Sequence, residues 1–320
     1  MTILMMTTLN LTSFNSDSFS LVGIPGLEKF HIWIGIPFFA LYLIALAGNG
    51  LLIYLIIVDH SLHEPLFFFL SVLASTDLIL CTTCVPKALA IFWLKAHEIT
   101  FSGCLTQLFF LHFSFFLDSG ILFGMAFDRY MAICSPLRYT SILTPKLIVK
   151  IMVGIVGRSF IVIFPIVFLV KRLPFCRSRT ILHTYCEHMG VARLACGDIS
   201  INIWYSFSMP LVSLFSDLTF IGISYTFILR AVFRISSRDA REKALSTCGS
   251  HVSVMLLFYT PAVLSALIHR FGHNISRPFH IMFANLYVAI PPALNPIIYG
   301  VKTKQIRDRV ILLFFPKRVL

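Results

Sequence analysis

The chain has 320 residues, 58% of them hydrophobic and 12% charged, with a net charge of +12 and a mean hydropathy of +0.87. An ordinary soluble domain carries about a quarter charged residues, and a chain with roughly half that share cannot cover its surface in water. The composition argues against a soluble enzyme, a nucleic-acid binder or a disordered tail, and assigns much of the solvation to lipid.

Runs free of Asp, Glu, Lys and Arg mark the elements in chain order. Residues 30–58 hold no such charge over 29 positions; as a helix they rise about 44 Å, enough to cross a hydrocarbon core of about 30 Å with tilt. Next come 65–86, interrupted by Asp77, 99–127, interrupted by Asp118, and 151–170, interrupted by Arg158. Residues 199–229 contain Asp217, and 244–269 and 278–301 contain no such charge. Each run far exceeds the ten or so residues of a membrane strand and lacks strict alternation. Prolines such as Pro165, Pro210, Pro261, Pro291, Pro292 and Pro296 are tolerated in membrane bundles. The expected fold is an all-α membrane protein of seven spans, followed by a short inner amphipathic helix. Residues 1–27 lack a basic start, so the first span is expected to act as the insertion signal. The chain divides into an extracellular N-terminus, 1–27, a seven-helix domain, 28–301, and a cytoplasmic helix and tail, 302–320.

Lys and Arg set the orientation. With the N-terminus outside, the inner loops collect Arg129, Arg138, Lys146 and Lys150, then Arg230, Arg234, Arg238, Arg241 and Lys243, then Lys302, Lys304, Arg307, Arg309, Lys317 and Arg318. Fewer fall on the outer side, half of them in the long segment 171–198, where the positive-inside rule has little force. The sequon Asn10-Leu11-Thr12 needs the lumenal side. Cys104, Cys176, Cys186 and Cys196 also fall on the outer side, where disulfides persist; four cysteines allow three pairings.

Several motifs lie in order along these spans: Asn49, LHEPLFFFL at 62–70, Asp77, MAFDRYMAIC at 125–134, Ser224-Tyr225, KALSTCGSH at 243–251 and NPIIY at 295–299. Together they make the chain resemble a rhodopsin-like G-protein-coupled receptor, and within that class an odorant receptor, over essentially its whole length. The long outer segment, HRFG at 269–272 and PPALNPIIYGVKTKQIR at 291–307 are similar to the class I, or fish-like, odorant receptors, family 52. HEPLFFFL in place of a Pro-Met-Tyr pattern, and Ser135 after Asp-Arg-Tyr, are small departures.

The resemblance implies that Asp128, Arg129 and Tyr130 form an activation switch, with Tyr225 and Tyr299 closing around Arg129 on release and Tyr259, near Pro261, passing the change down the sixth span. It implies disulfides Cys104–Cys186 and Cys176–Cys196 and a lid over an outer pocket; Cys81, Cys84, Cys134 and Cys248, in spans or near the inner face, are expected to be reduced packing residues. Intramembrane acids face the bundle interior with a partner; Asp77 and Asp118 are expected either to share a Na⁺ or to form a neutral hydrogen-bonded pair. No other cofactor is expected. Asp217 has no obvious partner by sequence, and Arg158 reads as lipid-facing or interhelical.

Leu111 stands where an amine receptor carries its acid, and 278–301 holds no Lys for retinal. The class I resemblance implies that Arg270, in HRFG, binds the carboxylate of a short or medium chain acid, a role that suits a guanidinium because it stays charged and offers a planar fork; the plainer alternative is an Arg snorkelling at a helix end. His112, Met189, Leu108, Phe115, Ser206, Ser265 and Ala266 are expected around the ligand. The implied partners are the bilayer, a small odorant and the heterotrimeric stimulatory olfactory G protein that raises cAMP, at the plasma membrane, with no nucleic acid. Uncharged volatiles such as alcohols or aldehydes are the nearer alternative; a transporter, channel or enzyme is disfavoured because no internal repeat, polar pore lining or nucleophile motif is seen.

Overall fold

A computed structural model describes residues 18–176, 179–271 and 276–314; side chains at 243 and 266–271 are not described. Eight long helices follow in order: α1 His31–Val58, α2 Pro65–Leu94, α3 Phe101–Cys134, α4 Pro145–Lys171, α5 Ser200–Phe233, α6 Arg238–Phe271, α7 Arg277–Lys302 and α8 Lys304–Phe314. Seven of them are long and apolar enough to span a membrane, as the charge-free runs indicate. Short helical turns at Tyr139–Ile142 and His188–Ala192 lie between them. The end bearing the disulfides is called outer here, the opposite end inner.

Starts are set by local chemistry. Pro65 and Pro145 occupy first-turn positions, where a missing N–H costs nothing. Thr100 and Thr144 accept hydrogen bonds from the Gly103 and Leu147 N–H groups, capping α3 and α4. Helix α3 is central: 67% of its most apolar window is buried, against 17% for α5. The opposite faces of the outer ring carry Trp33, Trp204 and Phe215, all strongly exposed, which suits a lipid surface.

Prolines inside the helices leave carbonyls without their usual donors, and neighbouring helices supply replacements. Pro296 has no N–H for the carbonyl of Pro292, and Asn49 Nδ2 of α1 donates to that carbonyl at 2.8 Å. Near Pro86, Gln107 Nε2 of α3 donates to the Thr83 carbonyl at 2.9 Å. Close packing allows this: a Cβ at Gly48, beside Asn49, would lie 2.7 Å from Pro296 Cγ.

A small sheet at the outer end was not anticipated. Strands β1 Ser18–Leu21, β2 Glu98–Thr100 and β3 Thr180–Ile181 pair in the order β2-β1-β3. β1 runs antiparallel to β2 and parallel to β3, so the N-terminal segment stitches the first outer linker to the long outer loop. Gly23 and Gly26, at φ +89° and +82°, turn the chain from β1 towards α1 in a conformation glycine alone adopts freely. At the inner end α8 buries Ile306 and anchors through Arg309 to Asp59, at 2.7 Å.

Asn49→Leu is expected to cost about 1–3 kcal/mol by stranding the Pro292 carbonyl, read as a lower melting temperature of the purified protein. Pro296→Ala in the same background restores a helical N–H to that carbonyl and should recover part of the loss; no recovery would place the Asn49 effect elsewhere.

Candidate functional site

Three layers of polar residues run down the bundle beside α3. At the inner end Asp128 is fully buried, and Arg129 grips it through Nη2 at 2.5 Å and Nε at 2.9 Å. Tyr139, in the turn after α3, donates its hydroxyl to the other Asp128 oxygen at 2.8 Å. Burial and the neighbouring Asp128 charge push the Tyr139 phenol up, so it stays a donor. Tyr130 faces elsewhere, against the Phe227 ring at 6.1 Å. Tyr225 lies within 2.7 Å of His251 Nδ1 on α6, and Tyr299 points its hydroxyl at the Met125 sulfur, 4.0 Å away. Arg129 is therefore held by Asp128, with both tyrosines engaged elsewhere.

The middle layer corrects one expectation. Asp217 has a partner: Arg158 of α4 meets it with Nη1 at 2.5 Å and Nη2 at 2.9 Å. Arg158 thus points between helices and not into lipid. Asp217 also accepts from Ser119 Oγ at 2.6 Å, and Ser119 Oγ lies 3.0 Å from the Tyr259 hydroxyl. One carboxylate thereby joins α3, α4, α5 and α6. Opposite, Asn295 Nδ2 donates to Asp77 at 2.8 Å and Thr76 donates to Asp118. Thr76, the residue before Asp77, thereby brings the two acids to the same level of the bundle. The Asn295 amide oxygen is buried without a hydrogen-bond partner among the described residues. Two carboxylates and an unengaged amide oxygen form an all-oxygen donor set that fits a hard monovalent cation or a proton; no cluster of three or more His, Cys, Asp or Glu suited to a metal occurs among the described residues.

In the outer layer Cys104 is bonded to Cys186 and Cys176 to Cys196; Cys81, Cys84, Cys134 and Cys248 are free. Gln107 Oε1 accepts from the Cys186 N–H at 2.8 Å, so the same side chain that serves the Thr83 carbonyl of α2 also seats the loop. Thr184 donates to Asn285 of α7 at 2.7 Å. Leu108 is fully buried, and His112 lies 2.9 Å from the Leu108 carbonyl through Nδ1. Phe115 stacks on Phe258 at 4.8 Å and meets the edge of Tyr287 at 6.0 Å, forming a floor between α3, α6 and α7. Met189, Ser206 and Ser265 are half-buried, with Ser206 turned to its own Ile203 carbonyl at 3.4 Å. Asn10 and the side chains of Ala266 and Arg270 lie outside the described residues.

Two residues not singled out as ligand contacts stand out here. His188 and Asn202 are buried at 3% and 0% exposure, yet neither His188 ring nitrogen nor either Asn202 amide atom finds a hydrogen-bond partner among the described residues. Buried polar atoms left open are costly unless a ligand or water serves them. Burial, and the nearby His112, push the His188 imidazole down to about 4, with Glu187 opposing. The Arg158–Asp217 pair had a readable signal: each is the lone charge of its span, and the signs are opposite.

A family profile described as "Olfactory receptor" matches residues 38–317. Human "Olfactory receptor 52H1" is 68% identical over 305 residues, covering 95% of this chain and 97% of that one. Human "Olfactory receptor 52B2" is 56% identical, covering 96% and 95%. Among solved structures, squid rhodopsin superposes with a TM-score of 0.72 at 18% identity, over 90% of this chain and 81% of that one, a likeness of fold.

Arg158→Leu, which leaves Asp217 charged and alone, is expected to destabilise by about 3–5 kcal/mol, and Arg158→Leu with Asp217→Leu by less than the single change; a double variant no more stable than Arg158→Leu would deny the coupling. For pH, a buried imidazole lowered from 6.5 to about 4 contributes stability that is complete above 6.5 and is lost as pH falls towards 4, because the unfolded chain binds the proton first. The melting temperature should decline across that window, and His188→Phe should flatten the decline.

Proposed function

The chain belongs to the olfactory receptor family, and from that premise we propose that it detects a short or medium chain carboxylic acid and activates the stimulatory olfactory G protein to raise cAMP. The family makes it a multi-pass plasma-membrane receptor for small odorants that works through a G protein, and not an enzyme. The finer steps are the proposal. The N-terminus is outside, Asn10 is glycosylated, and the C-terminus is cytoplasmic, as the distribution of Lys and Arg favours.

The observation that carries this reading is the clasp of Arg129 by Asp128 and Tyr139, with Tyr225 and Tyr299 bonded elsewhere. Such a clasp is a resting arrangement with a defined alternative. Freed from Asp128, Arg129 faces the G protein while the two tyrosines close around it. The ligand enters under the disulfide-tied lid, pairs its carboxylate with Arg270, and lays its alkyl chain against Leu108, His112, Phe115, Met189, Ser206, Ser265 and Ala266. Drawing in the outer end of α6 rotates it about Pro261 and loosens Tyr259 from Ser119. Binding shifts this equilibrium only through its differential affinity for the open form. Asp77, Asp118 and Asn295 would hold a Na⁺ or a proton in the closed form; the cation supplies charge that offsets the two carboxylates.

A second reading, tuning to alcohols or aldehydes, draws on His188 and Asn202, whose open hydrogen-bonding atoms suit an uncharged head group.

Cells expressing the receptor separate the two. Arg270→Ala should weaken the cAMP response to straight-chain acids about ten- to a hundredfold, the worth of a charge-assisted hydrogen bond, and leave the matching alcohols unchanged; equal potency for acids overturns the carboxylate anchor. Arg129→Ala should abolish the response with surface expression preserved.

A further inference from the structure

The inner half of α5 carries two arginines that the receptor mechanism does not use. Ile228 and Val232 are fully buried, and on a helix of 3.6 residues per turn Arg230 and Arg234 then stand on the face turned away from the bundle. Both are exposed, and neither forms an ion pair with a carboxylate among the described residues. Arg238, the next arginine along, is by contrast paired with Glu242 at 3.0 Å.

Two recesses flank this pair and share it. One, of about 300 Å³, is lined by Tyr130, Cys134, Phe227 and Ala231 together with the two arginines. The other is a shallow, open groove along α5 itself, lined by Thr226, Leu229 and Phe233 with the same two. Phe227, Leu229 and Phe233 are exposed at 47%, 43% and 68%, so the walls are apolar and open sideways, at the end of a helix long enough to span the membrane.

We propose that Arg230 and Arg234 bind the head group of an anionic diacyl phospholipid, with one acyl chain in the recess between α3 and α5 and the other laid along the open groove of α5. Two guanidiniums one turn apart suit a phosphate by paired donors, and basic pockets between membrane helices attract such head groups. Placing this lipid in the cytoplasmic leaflet rests on the orientation proposed above; the site itself does not.

Native mass spectrometry of the full-length receptor in detergent tests it, since that measurement is blind to orientation. Titrated with phosphatidylserine and with phosphatidylcholine of the same chains, the wild type should retain the serine lipid about tenfold better. Arg230→Gln with Arg234→Gln should erase the preference, while Arg238→Gln with Arg241→Gln should keep it. Ala231→Trp fills one recess without altering charge and should lower retention of both lipids, which keeps the test decisive if the double variant fails to fold. Equal retention of the two lipids by wild type, arginines that only snorkel, overturns the proposal. So does full displacement by inorganic phosphate, or a double variant that keeps the lipid preference and loses only G-protein coupling.

Discussion

A polar side chain inside a bilayer must find its partner on another helix, because the hydrocarbon offers none. In this chain that constraint converges on α3. Asp118, Ser119, Asp128 and Arg129 all lie on it, and Gln107 and Cys104 fix its outer end. The partners come from every side: Thr76 from α2, Tyr259 from α6 and, through Asp217, Arg158 from α4. The bundle is thereby specified by a few directional contacts, which apolar packing against lipid-like neighbours cannot supply alone.

Because these contacts share one helix, the layers are linked. The outer loop is tied to α3 by a disulfide and by Gln107, the middle network holds α5 and α6 through Ser119, and the inner clasp holds Arg129. Tyr259 is the member best placed to carry a change, since its helix reaches from the outer pocket to His251 beside Tyr225. Two arrangements of such a network, closed and open, are what a switching receptor needs.

The seven spans were legible because each is a run with at most one Asp, Glu, Lys or Arg and far longer than any alternative element, and the paired outer cysteines followed from the family likeness. The Arg158–Asp217 pair was legible only as two lone charges of opposite sign, because its formation depends on how α4 and α5 are rotated. Strands of four, three and two residues are too short to show alternation, so the outer sheet left no pattern to read. The open hydrogen-bonding atoms of His188 and Asn202 left no sequence signal for a different reason: an unsatisfied buried atom is visible only once every neighbour has been placed. Arg270 remains an inference from HRFG and from the chemistry of carboxylates.

The proposal at the centre is that holding Arg129 on Asp128 keeps the receptor in its closed form, and that release lets the inner end of α6 move out. Pulsed electron spin resonance reads it directly, with nitroxides at Glu64→Cys, before α2, and Leu245→Cys, on α6, both exposed positions, in a Cys134→Ser background. Without ligand, Asp128→Asn should populate a longer distance that is rare in the otherwise identical receptor. Identical distance distributions in the two proteins would contradict the account.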